Sequence, residues 1–154
     1  MFVFMCFSGL AHVDLKELSY RNVHTDSDGN TWLVGNRVKT KAPYVVKLLP
    51  IAVELIEKYR GVNEFPVGEI GSMEDSLKRI GEKAGCSVRV SPHVGRHTFA
   101  TLALSKGMPL ETLQKVLGHK TIISTQVYAE LINPKIGEDT DRMREIGGMF
   151  RLAN

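Results

Sequence analysis

Hydrophobic residues in this chain come first as a dense block, then in alternation, and then at helical spacing. Residues 2–8 are almost wholly apolar and predict a buried helix that Gly9 interrupts. A second short helix is expected over residues 13–18, with Val13, Leu15 and Leu18 turned inward. The period then changes. Asp26, Asp28, Gly29 and Asn30 form a turn cluster, and β-branched and aromatic residues dominate 31–34, 37–40 and 44–48. These segments predict a three-stranded antiparallel sheet with a tight turn at 41–43. Pro50 precedes a helix over 51–59 whose Ala52, Leu55, Ile56 and Tyr59 keep core-face spacing. Another amphipathic helix is expected over 73–84, with Leu77 and Ile80 inside.

Ser91 and Pro92 then mark a helix start, serine as N-cap and proline at the first helical position, where its missing N–H costs nothing. Gly107 ends that helix and Pro109 opens the next, which has an apolar face of Leu110, Leu113, Val116 and Leu117 and stops at Gly118. Thr121 is expected to cap one more helix, reaching about residue 132 before Asn133 and Pro134. The tail, about 135–154, is charged and then partly apolar at Ile146, Met149, Phe150 and Leu152. No internal repeat is visible. The expected architecture is a single, mainly α domain over 1–154 with a small three-stranded antiparallel sheet.

At 154 residues the chain can bury a continuous core without disulfides or a structural metal. A formal charge of +3 permits a nucleic-acid partner without requiring one. Distribution says more: Lys78, Arg79, Lys83, Arg89, Arg96, Lys106, Lys115 and Lys120 are opposed between 78 and 120 only by Glu82 and Glu111. Cys6 and Cys86 are too few and too far apart for a disulfide framework or a zinc site, which fits a cytoplasmic protein. The apolar start lacks a basic leader region and is too short to span a bilayer. It reads instead as a buried helix that begins abruptly, as in the back portion of a longer protein.

On a helix, His93, Arg96 and His97 share one face, while Phe99 and Leu102 point toward a core. Taken alone, the cluster fits a solvated basic helix, with a buried histidine satisfied by backbone, better than it fits a site. A zinc reading of His93 and His97 is weak, because no Glu follows the first His and no third ligand is evident. Tyr128 shares a face with Thr121, Ser124 and Thr125, whereas Ile123 and Val127 lie elsewhere, so its hydroxyl is expected outside the apolar core. A lone tyrosine is usually packing or a surface hydrogen bond; this one gains interest from its company. Metal-free attack on a phosphodiester needs fixed positive charge, donors around the phosphate oxygens and a nucleophile able to hold a covalent intermediate. Arg96, His93, His119 and Tyr128 are residues of those types. A metal-dependent nuclease is disfavoured by the absence of a clustered Asp/Glu set.

In combination these residues resemble the tyrosine recombinase (phage integrase) family. His93 to Thr101 is similar to the family's HxxRH helix, Leu117-Gly118-His119 to its LGH element, and Thr125 to Tyr128 to the segment bearing its nucleophile. More loosely, Val38-Lys39-Thr40 resembles the hairpin carrying the catalytic lysine, and Ser8-Gly9-Leu10 a segment near the start of the domain. The resemblance implies a site-specific recombinase or integrase, a DNA strand transferase of mobile elements. Tyr128 would form a 3′-phosphotyrosine, with Arg96 gripping the non-bridging oxygens, His93 and His119 donating or shuttling protons, and Lys39 protonating the leaving oxygen. His97 would be accessory or structural, and Thr125, Lys120 and Lys41 accessory or DNA-contacting, with Lys41 an alternative to Lys39. No cofactor or metal is implied. Double-stranded DNA, other protomers on it and accessory DNA-bending proteins would be the partners, in a bacterial cytoplasm and nucleoid-associated on DNA.

Two departures stand out. The family usually places a first catalytic arginine after its Gly-Leu pair, and here Ala11 stands there, followed by His12. Arg37 and Lys39 are two apart on an expected strand, hence on one face, so Arg37 is the expected substitute and His12 the alternative. The family's N-terminal DNA-clamping domain is also expected to be absent. A rival reading is therefore a catalytically impaired DNA-binding fragment.

Overall fold

The computed structural model describes residues 1–59, 65 and 67–130. Helix α1 (Phe2–Ser8) ends at Gly9 in the left-handed conformation, φ 71°, and α2 (His12–Lys16) follows at once. A 3-10 turn (Tyr20–Asn22) leads into β1 (Val23–Thr25), β2 (Thr31–Asn36) and β3 (Pro43–Lys47), an antiparallel sheet in the order β1-β2-β3. Leu33 pairs with Val23 on one side and Val46 on the other. Helices α3 (Pro50–Lys58), α4 (Ile70–Lys83), α5 (Pro92–Ser105), α6 (Leu110–Leu117) and α7 (Ile123–Glu130) complete the described residues. The mainly α architecture with a small three-stranded sheet is thus as expected.

The strands are not those expected. Residues 37–40 form the hairpin loop rather than a strand: Arg37 N–H donates to Ala42 O at 2.8 Å, and Lys41 takes φ 56° to turn the chain back. Pro43 already pairs with Asn36, so the reversal falls before residue 43. Val38 is drawn inward because its N–H donates to the buried Asp14 carboxylate at 2.8 Å. The third strand is instead β1, too short to show an alternating pattern. The Asp26 turn is as expected, its carboxylate accepting from the N–H groups of Asp28 and Asn30.

Three apolar positions also face differently from their expected direction. Val13 is exposed, because α2 turns His12 and Asp14 inward instead. Ile80 is 60% exposed, since α4 uses Leu77 and the close-packed Gly81, where a Cβ would lie 2.9 Å from Val90 Cγ2. Leu102 lines an open apolar groove with Val45, Leu49 and Met108. Leu55 and Tyr59 are half-buried, and Ala52 and Ile56 fill the core of α3.

Two apolar clusters result. One gathers Phe4, Met5, Leu10, Leu15, Leu33, Val46 and Ile56 beneath the sheet; the other joins α5, α6 and α7 through Phe99, Ala100, Leu113, Leu117 and Tyr128. Val116 touches both. Helix α7 begins at Ile123, one residue later than a Thr121 cap implies: the N–H groups of Thr125 and Gln126 donate to Ile122 O, and Thr121 pairs its hydroxyl with that of Ser124 at 3.2 Å. Its expected end near 132 and the tail lie outside the described residues.

Candidate active site at the seam of two clusters

Helix α5 starts where Ser91 and Pro92 place it, although the Ser91 side chain makes no capping bond. Its Arg96 points into the seam and is 4% exposed. A buried guanidinium needs acceptors, and two helix ends supply them. Arg96 Nη1 donates to Gly9 O, just past α1, at 2.6 Å, and Nη2 donates to Leu117 O, at the end of α6, at 2.8 Å. Those carbonyls are the electronegative C-terminal groups of each helix. Gly9 must be glycine here: besides its positive φ, a Cβ would lie 2.5 Å from Phe99 Cδ1.

Helix α6 ends in a left-handed Gly118, φ 62°, and His119 N–H donates back to Gln114 O at 3.0 Å. That cap fixes the His119 backbone beside Arg96. Arg96 Nη2 lies 2.9 Å from His119 Nε2, and His119 Nδ1 lies 2.9 Å from the Thr125 hydroxyl on α7. Burial, then the charges of Arg96 and Arg37, push the His119 pKa down to about 4, so the ring is neutral at pH 7. Burial, then the Arg37 charge, lower Arg96 to about 10, which leaves it protonated.

Tyr128 differs from expectation. It is buried, at 5% exposure, with the equally inward Thr125, while Ile123 and Val127 are the exposed residues of α7 at 70% and 53%. The ring of His97 meets it edge-on at 5.0 Å, and the ring of His119 lies parallel at 6.3 Å. Tyr128 shares a cleft with the Arg96 guanidinium. His93, exposed, pairs Nε2 to Nε2 with His97 at 2.6 Å, a contact that requires one proton between the two rings. Burial, then His93, then Arg96, lower the His97 pKa.

These groups line one cleft of about 350 Å³ with Ala11, Arg37, Ser124 and Val127. Arg37 reaches it from the hairpin loop and not from a strand, so its expected alignment with Lys39 does not hold. Arg37 Nε sits 3.0 Å from the buried Asp14 carboxylate, and Nη1 donates to the same Leu117 O at 3.3 Å. Two guanidiniums thus converge on one helix-end carbonyl. Gly118 makes room for this: a Cβ would lie 2.7 Å from Arg37 Cγ. Lys39, Lys41 and Lys120 are exposed and do not line the cleft. His12 is buried with Nε2 3.0 Å from Gly68 O, on no wall of the cleft. Among the described residues no three His, Cys, Asp or Glu side chains cluster as a metal site. Asp14 was not anticipated; its one signal was an acidic residue between Val13 and Leu15 in a short apolar helix.

The arrangement can bind an anion and set the Tyr128 side chain beside it. Comparison with known proteins follows the same line: the model of the phage integrase family matches residues 1–133. Tyrosine recombinase XerA of Saccharolobus solfataricus is 55% identical over 56 residues, 36% of this chain and 19% of that protein. A crystal structure of XerA recombinase superposes with TM-score 0.71 at 23% identity, covering 91% of this chain and 55% of that one. The XerH site-specific recombinase in a post-cleavage complex with its palindromic difH substrate superposes with TM-score 0.69 at 21% identity, covering 90% and 43%. The chain therefore spans about half or less of the length of these proteins.

Proposed function

From the premise that this chain belongs to the phage integrase family, we propose that it is the catalytic portion of a site-specific DNA recombinase, cleaving and rejoining double-stranded DNA without a metal. The observation that carries the reading is the convergence of Arg96, Arg37, His93, His119 and Tyr128 on one cleft. The Tyr128 oxygen attacks a DNA phosphorus, forming a 3′-phosphotyrosine as the bond to the 5′ oxygen breaks. The tyrosine proton passes to a neutral imidazole, and the 5′ oxygen takes a proton from Lys39 as the hairpin loop closes on DNA. The ester conserves the phosphodiester bond energy, so a second 5′-hydroxyl reverses the step. Arg37 supplies the positive charge that Ala11 does not.

Donor counting refines the role of Arg96. Both Nη2 hydrogens are engaged, by Leu117 O and His119 Nε2. Either bidentate fork of a guanidinium uses that nitrogen. Phosphate binding therefore exchanges one of these bonds, and release of His119 turns its Nε2 toward the reacting group. Other protomers and DNA-bending proteins join the reaction on DNA, in a cytoplasmic, nucleoid-associated setting; among the described residues no helix is long and apolar enough to cross a membrane.

The test is incubation with a nicked duplex that traps the covalent intermediate. The wild type yields a protein–DNA adduct whose phosphotyrosyl peptide contains Tyr128, and Tyr128→Phe yields none while still retarding DNA in a gel. Retardation without an adduct from the wild type identifies a binding fragment instead.

A further inference from the structure

Thr125 is fully buried, yet it lies on the same helix as Tyr128 and faces the site. An arginine nitrogen carries only hydrogens to give, so at the 2.9 Å contact with Arg96 Nη2 the His119 Nε2 must accept. A neutral imidazole accepting at Nε2 carries its proton on Nδ1, and that proton meets the Thr125 hydroxyl oxygen at 2.9 Å. The alternative tautomer would set an N–H against the N–H of Arg96 and would turn the Thr125 hydroxyl from acceptor to donor. Arg96 and Arg37 are the charged groups facing the ring, and both oppose an imidazolium; Arg96 makes Nε2 the acceptor, and Thr125 gives the proton on Nδ1 its acceptor.

We infer that Thr125 is a positioning residue: its hydroxyl holds His119 in the Nδ1–H form, which keeps the Nε2 lone pair aimed at Arg96 and ready to take a proton in the cleft. The inference deepens the reading above and rests on His119 belonging to that site. It gives α7 two tasks, the nucleophile at Tyr128 and, three residues earlier, the setting of the group that handles its proton.

The experiment is a long-range proton–nitrogen correlation on protein with ¹⁵N-labelled histidine, His119 being assigned by its loss in His119→Gln. In the wild type Nδ1 is expected to resonate as a pyrrole-type and Nε2 as a pyridine-type nitrogen. In Thr125→Val, nearly the same shape without the hydroxyl, the tautomer ratio shifts by about tenfold or more toward Nε2–H and adduct formation slows by a similar factor, the size set by one buried donor losing its partner. Thr125→Ser restores both. A wild-type His119 protonated at Nε2 overturns the assignment, as does a Thr125→Val spectrum identical to the wild type. The wild-type spectrum decides the tautomer even where the valine variant does not fold. Absence of any adduct from the wild type removes the recombinase reading, while the nitrogen signals still decide the role of Thr125.

Discussion

The ion pair between Asp14 and Arg37 gives a prediction whose size follows from the geometry. Asp14 is 2% exposed and carries a charge opposite the Arg37 Nε at 3.0 Å, with no hydrogen bond between those two atoms. At an effective dielectric near 20 the gross attraction is about 5 kcal/mol at this distance. Desolvation of both ions offsets much of it, and the missing hydrogen bond places the pair at the weak end for buried pairs, so a net coupling of about 2 kcal/mol is expected. Asp14→Asn keeps an oxygen for Val38 N–H but presents an amide or a neutral oxygen to the guanidinium. It is expected to cost about 3 kcal/mol, a fall in Tm of about 6–12 °C for a domain of this size. The assay is urea unfolding of the wild type, Asp14→Asn, Arg37→Gln and the double variant. Coupling of about 2 kcal/mol makes the double variant more stable than the sum of the singles implies. Additivity within about 0.5 kcal/mol would refute the reasoning, since it would mean Asp14 does not hold Arg37 in the site.

Gly118→Ala forces a Cβ onto Arg37 at a left-handed φ and is expected to cost about 1–3 kcal/mol, read as a lower urea midpoint with an unchanged m-value. Lys39→Ala, at an exposed loop position, is expected to leave Tm within about 2 °C while slowing covalent adduct formation by about a hundredfold or more. For pH, the folded-state His119 pKa near 4 lies below the ordinary 6.5. The unfolded chain then binds more protons between those values, so stability is full above 6.5 and declines as pH falls toward 4. Because the ring is partly solvated, the decline is about 1–2 kcal/mol, and His119→Gln should flatten the fall in Tm between pH 7 and 4.5.

The helices of the second cluster were legible because their punctuation is chemical: Ser91-Pro92, Gly107, Pro109 and Gly118 each fix a backbone state whatever surrounds them. The direction of α7 was not. Reading amphipathicity assumes that apolar means inside, but the buried face of α7 is the one that lines the site, where Thr125 and Tyr128 find polar partners, and Ile123 and Val127 are left outside. Arg37 was named as the substitute for the residue missing at Ala11, yet by a strand argument that the hairpin loop removes. What brings it to the cleft is Asp14, a contact across 23 residues of chain that no local pattern displays. Lys39, legible only by resemblance, stands exposed outside the cleft.

The shared Leu117 carbonyl has a thermodynamic meaning beyond its geometry. Two guanidiniums held on one oxygen, with the Asp14 carboxylate beside Arg37, leave the cleft with surplus positive charge that folding itself must sustain. Any small anion able to sit there relieves that repulsion and binds the folded chain alone, so it raises the melting temperature by mass action. Phosphate or sulfate should therefore stabilise the wild type more than chloride does at equal ionic strength, and Arg37→Gln should lose the excess. Stabilisation by anions and affinity for DNA are then two readouts of one positive cleft, both weakened by the loss of Arg37.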